Sequence, residues 1–175
     1  DLYNFGTGAV TLSALSTGSG TTFNANDTDV NTSGGSITIN GDVVGSLVEL
    51  DIDTTANSGT NGTISITGDI TAKTGGGADE ILVLNAGSGK IDIGGAIGAA
   101  TSQLKSVTLS STNTAADAVK LGGNIKTSAT AGAISITGPV TIAATDLVID
   151  ADAATTSVTF ASTSKVNATS AGAQG

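Results

Sequence analysis

The chain has 175 residues, a net charge of −9 and no His, Cys, Met or Trp, and its six basic residues are all lysines. Without Cys there is no disulfide framework or zinc–thiolate site, and without His or Cys the usual general base and nucleophile triads are missing, so an enzyme is not expected. Nucleic acid is not expected either, because duplex binding rests on clustered Lys and Arg, and no apolar run approaches the ~20 residues of a membrane span.

Hydrophobic residues make up 38% of the chain but aromatics only 2%, so a core must be built from Val, Ile, Leu and Ala. In chain order, the first alternation is Val10-Thr-Leu12. The next is Ile37-Thr-Ile39-Asn-Gly41-Asp-Val43, which defines a pattern of apolar, any, apolar, any, Gly, any, apolar. It returns as Ile64-Ser-Ile66-Thr-Gly68-Asp-Ile70, Ile91-Asp-Ile93-Gly-Gly95-Ala-Ile97 and Val119-Lys-Leu121-Gly-Gly123-Asn-Ile125. A fifth copy is Ile134-Ser-Ile136-Thr-Gly138-Pro-Val140, and a degenerate one begins at Val158. The steps from Val10 to Ile37, from Ile37 to Ile64 and from Ile64 to Ile91 are equal, and the step to Val119 is longer by a single position. After Val119 the register breaks, and the copies at Ile134 and Val158 both arrive early. A second apolar segment follows most copies: Leu47, Leu50 and Ile52; Ile81 to Leu84; Leu104, Val107 and Leu109; Leu147 to Ile149. Thr54–Thr63, Thr74–Ala78 and Asn113–Ala118 read as turns and loops.

Period-two alternation of β-branched residues is the signature of short strands with one buried face. Strands recurring at a fixed step can each pair with their equivalent in the next repeat. The predicted fold is therefore all-β: a right-handed parallel β-solenoid with rungs of about 27 residues, handed by the rule for parallel crossovers. An antiparallel sandwich would explain the short strands but not the constant step. Residues 1–175 read as a single solenoid segment. Neither end carries a polar cap, so the segment is expected to belong to a longer solenoid or to stack end to end.

Leu84-Asn-Ala-Gly-Ser-Gly-Lys-Ile-Asp-Ile-Gly-Gly-Ala-Ile-Gly98, Leu104-Lys-Ser-Val-Thr-Leu109 and Ala133-Ile-Ser-Ile-Thr-Gly-Pro-Val140 resemble the repeats of filamentous-haemagglutinin-like and autotransporter-type giant adhesins. The resemblance runs from about residue 34 onward and more weakly over 10–23. It implies a β-solenoid stalk, secreted and held at the bacterial cell surface, serving adhesion, biofilm or sheath formation. Two alternatives share the composition: a surface-layer subunit, and a solenoid module that grips a glycan or host-surface receptor.

Asp51 and Asp53 alternate around Ile52, and Asp150 and Asp152 around Ala151, so each pair points outward from a strand. Such pairs are candidate calcium ligands, since calcium takes six to eight oxygens. The competing reading is a solvated acidic face that keeps strand edges apart. Asp27 and Asp29 fall in what reads as an Asn-rich loop. Gly87-Ser-Gly-Lys90 looks superficially like a phosphate loop, but it lacks the upstream glycine and the Ser/Thr, and a strand follows it; it reads as a turn between rungs. The lysines are scattered and read as isolated edge charges.

Overall fold

The computed structural model describes residues 2–13, 21–22, 27–45, 48–55, 61–72, 80–128, 132–152, 156–161 and 164–168. Leu47 and the expected loop Thr74–Ala78 lie outside the described residues. Every regular element among the described residues is a strand, and the strands succeed one another in coils. The first coil holds β1 (Leu2–Asn4), β2 (Val10–Ser13) and β3 (Thr21–Thr22). The second holds β4 (Asp27–Asn31), β5 (Ile37–Asn40) and β6 (Val43–Val44), and the third β7 (Glu49–Asp53), β8 (Ile64–Ile66) and β9 (Ile70–Thr71). Next come β10 (Ile81–Gly87) and β11 (Ile91–Ile93), then β12 (Ser106–Ser111), β13 (Val119–Leu121) and β14 (Ile125–Thr127). The stack continues with β15 (Ala133–Thr137), β16 (Val140–Ile142) and β17 (Ile149–Ala151), and closes with β18 (Val158–Phe160) and β19 (Val166–Ala168).

Each strand pairs in parallel with its equivalent in the neighbouring coil, which gives three faces. The first face is the seven-stranded sheet β1-β4-β7-β10-β12-β15-β18, and the second is β2-β5-β8-β11-β13-β16-β19. The third is β3-β6-β9 and β14-β17, joined by single bridges from Ile70 to Ile97 and from Ile97 to Ile125. This is a parallel β-solenoid with coils of about 27 residues, an ordinary length for a stacked repeat.

The alternating sequence dictates what goes inside. In β5, β8, β11 and β13 the apolar residues are buried and the residue between them is half-exposed. In-register pairing sets Val10 beside Ile37, Ile37 beside Ile64, Ile64 beside Ile91 and Ile91 beside Val119. A parallel column runs through Leu50, Leu82, Val107 and Ile134 on the first face, all 1% exposed or less. Burying each such side chain contributes roughly 1.5–3 kcal/mol against leaving it in water. The narrow interior is filled by aliphatic columns, which accounts for the near absence of rings.

The constant step is a property of the second face. Its corner to the third face stays short in four successive coils, and there a glycine recurs where backbones of adjacent coils nearly touch. A Cβ on Gly95 would lie 2.5 Å from the carbonyl carbon of Gly68. The other corners vary in length. On the first face Asp29 pairs with Asp51 after a short step, and Asp51 pairs with Val83 after a long one. The short and long steps offset each other, so the second face keeps its period.

The apparent break after Val119 has the same origin and corrects the reading of the fifth copy. Ile134 and Ile136 pair with Val107 and Leu109 on the first face, and the successor of Val119 on the second face is Val140. In this coil the corner between the first and second faces shrinks to Gly138-Pro139. Gly138 has φ 109°, a left-handed conformation open to glycine at little cost. The familiar pattern therefore straddles a different corner. Val158 and Phe160 likewise pair with Ile134 and Ile136 on the first face, and Ile149 joins the third face through Ile125. A further correction concerns Asp27 and Asp29. They lie on strand β4, not in a loop, with Asp27 beside Glu49 and Asp29 beside Asp51.

Candidate functional site

The densest cluster of ionisable groups sits outside β4 and β7. Thr28, Val30, Leu50 and Ile52 point inward and are buried, so the intervening residues Asp27, Asp29 and Asn31 and Glu49, Asp51 and Asp53 form the outer surface. The register sets Asp27 beside Glu49, Asp29 beside Asp51 and Asn31 beside Asp53. Neighbouring parallel strands lie ~4.8 Å apart, and like charges directly opposite each other are destabilising. Asp53 is well supplied with donors: its carboxylate accepts the Thr55 amide at 2.5 Å and Asn85 Nδ2 at 3.3 Å. Asp51 is not. One of its oxygens is shielded from solvent without a hydrogen-bond partner, and so is Oδ1 of Asn31. Burial first, then the charges of Asp53, Asp29, Glu49 and Asp27, push the Asp51 carboxyl up to about 6.

The second predicted acidic pair is arranged differently. Lys126 on β14 donates to Asp150 Oδ2 at 2.8 Å and lies 3.5 Å from Asp152 Oδ2. The bond to Asp150 holds the Lys126 ammonium above the usual lysine range. Asp51 thus faces another carboxylate, Asp29, across the ladder, and Asp53 lies between Asn31 and Asn85, whereas Asp150 and Asp152 share an ammonium. Among the described residues, no three acidic side chains converge as a metal-holding group.

Lysine placement departs from the isolated charges read from the sequence. Lys90 pairs with Asp117 at 2.8 Å and Lys120 with Asp92 at 3.2 Å. With Lys126, three of the five described lysines bridge to an aspartate of an adjacent coil. The bond from Lys90 holds the Asp117 carboxyl below the usual carboxylate range. Exposed pairs of this kind are worth ~0–1 kcal/mol each, so they favour the correct register more than they add stability. Lys90 ends the Gly87-Ser88-Gly89 stretch, a turn joining β10 to β11 whose carbonyl at Gly89 accepts the Ser111 hydroxyl at 2.6 Å.

Two sets of polar residues that sequence reasoning left without a role hold the corners. Between the second and third faces, Asp42 Oδ1 accepts the Asp69 amide at 2.9 Å, and Asp69 Oδ1 accepts the Ala96 amide at 2.7 Å. Asn124 Oδ1 accepts the Val148 amide at 2.8 Å. Each side chain caps a backbone donor of the next coil. Between the first and second faces, the buried hydroxyls of Thr32 and Thr54 donate to the carbonyls of Gly35 and Gly62 at 2.5 and 2.8 Å. The signal for the first set was the Asx residue next to the third-face apolar residue, as in Gly41-Asp-Val43 and Gly68-Asp-Ile70.

One recess of about 510 Å³ opens between Asn113, Thr114, Pro139, Lys165 and Asn167. It forms because the loop 112–118 overhangs the two-residue corner of the following coil. Asn113 fixes the overhang, with Nδ2 donating to the Ser88 carbonyl at 2.8 Å and Oδ1 accepting the Ala115 amide at 2.8 Å.

Comparison with known protein families, characterised proteins and solved structures finds no match for this chain. The class it can be assigned to is the one its own geometry defines, the parallel β-solenoid.

Proposed function

We propose that this chain is a structural or adhesive element of an extracellular, surface-held stalk or filament of a bacterial cell. The observation that carries this reading is the uninterrupted stack. Aliphatic columns and in-register parallel ladders run through both seven-stranded sheets, an arrangement that resists bending because every coil is bonded to the next. Stability in such arrays is roughly a sum of coil and interface terms, which suits a spacer of arbitrary length. The absence of His and Cys supports a role without catalysis.

The end coils add to the reading. Leu2 and Tyr3 on β1, Phe5 just after it, Val158 and Phe160 on β18 and Val166 on β19 are exposed, and β1, β18 and β19 are the end strands of their sheets among the described residues. A further coil, from the same polypeptide or from a second copy, would cover them.

The recess beside Lys165 favours a second reading, a glycan- or receptor-binding solenoid, since a cation among Asn and Thr side chains suits an acidic sugar. Antibodies raised against the chain, applied to intact and permeabilised cells of its source, test location: labelling of intact cells is expected, and labelling only after permeabilisation contradicts the proposal. Addition of uronic-acid oligosaccharides to labelled protein separates the two readings. Shifted resonances confined to Asn113, Lys165 and Asn167 would select the binding module, and an unchanged spectrum the spacer.

A further inference from the structure

We infer that the outer face of β4 and β7 is a proton-sensitive clamp, joining the second and third coils more firmly in mildly acidic surroundings than at neutral pH, with Asp51 as the group that takes the proton. This holds whether or not the chain is a spacer. The ladder stacks Asp27 on Glu49 and Asp29 on Asp51, and places Asp53 two residues further along β7. Asp51 is thus flanked by Asp29 across the ladder, by Glu49 and Asp53 along its own strand, and by Asp27 on the diagonal. On its other side it meets β10, where its register partner is Val83, with Ile81 and Asn85 paired to Glu49 and Asp53. No described strand packed against it contributes a cation. Beyond β4, β1 offers only Leu2 and Asn4 as outward partners. The described lysine nearest in ladder order, Lys105, precedes Ser106 on β12, two strands from β7.

Hydrogen bonding makes the same point independently. On the outward side of these adjoining strands two solvent-shielded acceptors, one oxygen of Asp51 and Oδ1 of Asn31, have no donor. Leaving a buried acceptor unpaired is costly. Protonating Asp51 removes one of five clustered negative charges and turns a carboxylate that has an acceptor without a donor into a group that can itself donate.

The sign follows from linkage. The Asp51 carboxyl is raised from 3.8 to about 6 in the folded chain, so the folded state binds the proton more tightly than the unfolded one. The contribution to stability is fully present below pH ~4, declines as pH rises through about 6, and is gone at neutral pH.

The experiment is a ¹³C-carboxyl NMR titration of the whole chain with urea unfolding between pH 4.5 and 7.5, in the presence of a chelator to exclude bound cations. Asp51 is expected to titrate with a midpoint near 6, and the urea midpoint to rise on acidification. In Asp51→Asn that rise should be lost or much reduced, and the variant should be more stable than the parent at pH 7.5. An Asp51 midpoint near 3.8, or an undiminished rise in Asp51→Asn, overturns the inference. Should Asp51→Asn fail to fold, Asp29→Asn provides the test: the Asp51 midpoint must fall, and an unchanged midpoint is equally fatal.

Discussion

Asp69 shows how much a single exposed side chain can contribute to a stacked fold. Its amide donates to Asp42 and its carboxylate accepts from Ala96, so it links three coils at one corner. Without its acceptor the Ala96 amide, on a tight corner, loses its partner. Asp69→Ala is expected to cost about 1 kcal/mol in urea unfolding, while Asp69→Asn, which keeps the oxygen, should recover most of that loss. Equal losses in both variants would mean the carboxylate acts by charge and not as a cap. Inward residues such as Ile64 and Ile66 were legible in the sequence because alternation assigns them a face directly. The corner caps were visible only as recurring Gly-Asp pairs, since a hydrogen bond to the next coil depends on three-dimensional register that no local pattern encodes. The acidic face was half legible. Asp51 and Asp53 flank an obvious buried Ile52, whereas Asp27 and Asp29 belong to Asp-Thr-Asp-Val-Asn, whose single aliphatic residue is too weak a strand signal. This segment is a strand through its pairing with β1 on one side and β7 on the other.

At the scale of the strand and its corner, the repeat period reports constraint and not merely length. The corner between the second and third faces recurs because adjacent backbones approach too closely there for any side chain. Gly95→Ala places a methyl against the Gly68 backbone, which cannot swing aside as a side chain would. A loss of about 1–3 kcal/mol is expected, read as a lower urea midpoint with the strand circular-dichroism signal retained. A silent substitution would show the corner to be looser than the geometry requires. The other corners accept insertions, as the unequal steps from Asp29 to Asp51 and from Asp51 to Val83 on the first face demonstrate. This is why the fifth repeat misled: Ile134-Ser-Ile136 has the same local pattern as its predecessors, and only the length of the preceding loop decides which face it joins. Local sequence specifies a strand and its inward side; loop length specifies its place in the coil.

Across the whole molecule, the solenoid combines a uniform interior with an outer surface that changes along the stack. The first face is acidic at β4 and β7, apolar at Ile81 and Val83, and rich in hydroxyls from β12 to β15. The interior sets stiffness and coil spacing, and the surface sets what each stretch of the rod meets. All of this presumes that equivalent strands lie over one another along one axis. Pulsed electron spin resonance between labels on the outward column of the second face tests that directly, with one label fixed at Thr11 and the other at Asp92, Thr141 or Asn167. These are three, five and six ladder steps away. At ~4.8 Å per step the backbone separations should be about 14, 24 and 29 Å, rising in that order. Separations that fail to increase along the series, or that place Asn167 nearer to Thr11 than Asp92 is, would contradict the stacked parallel coil.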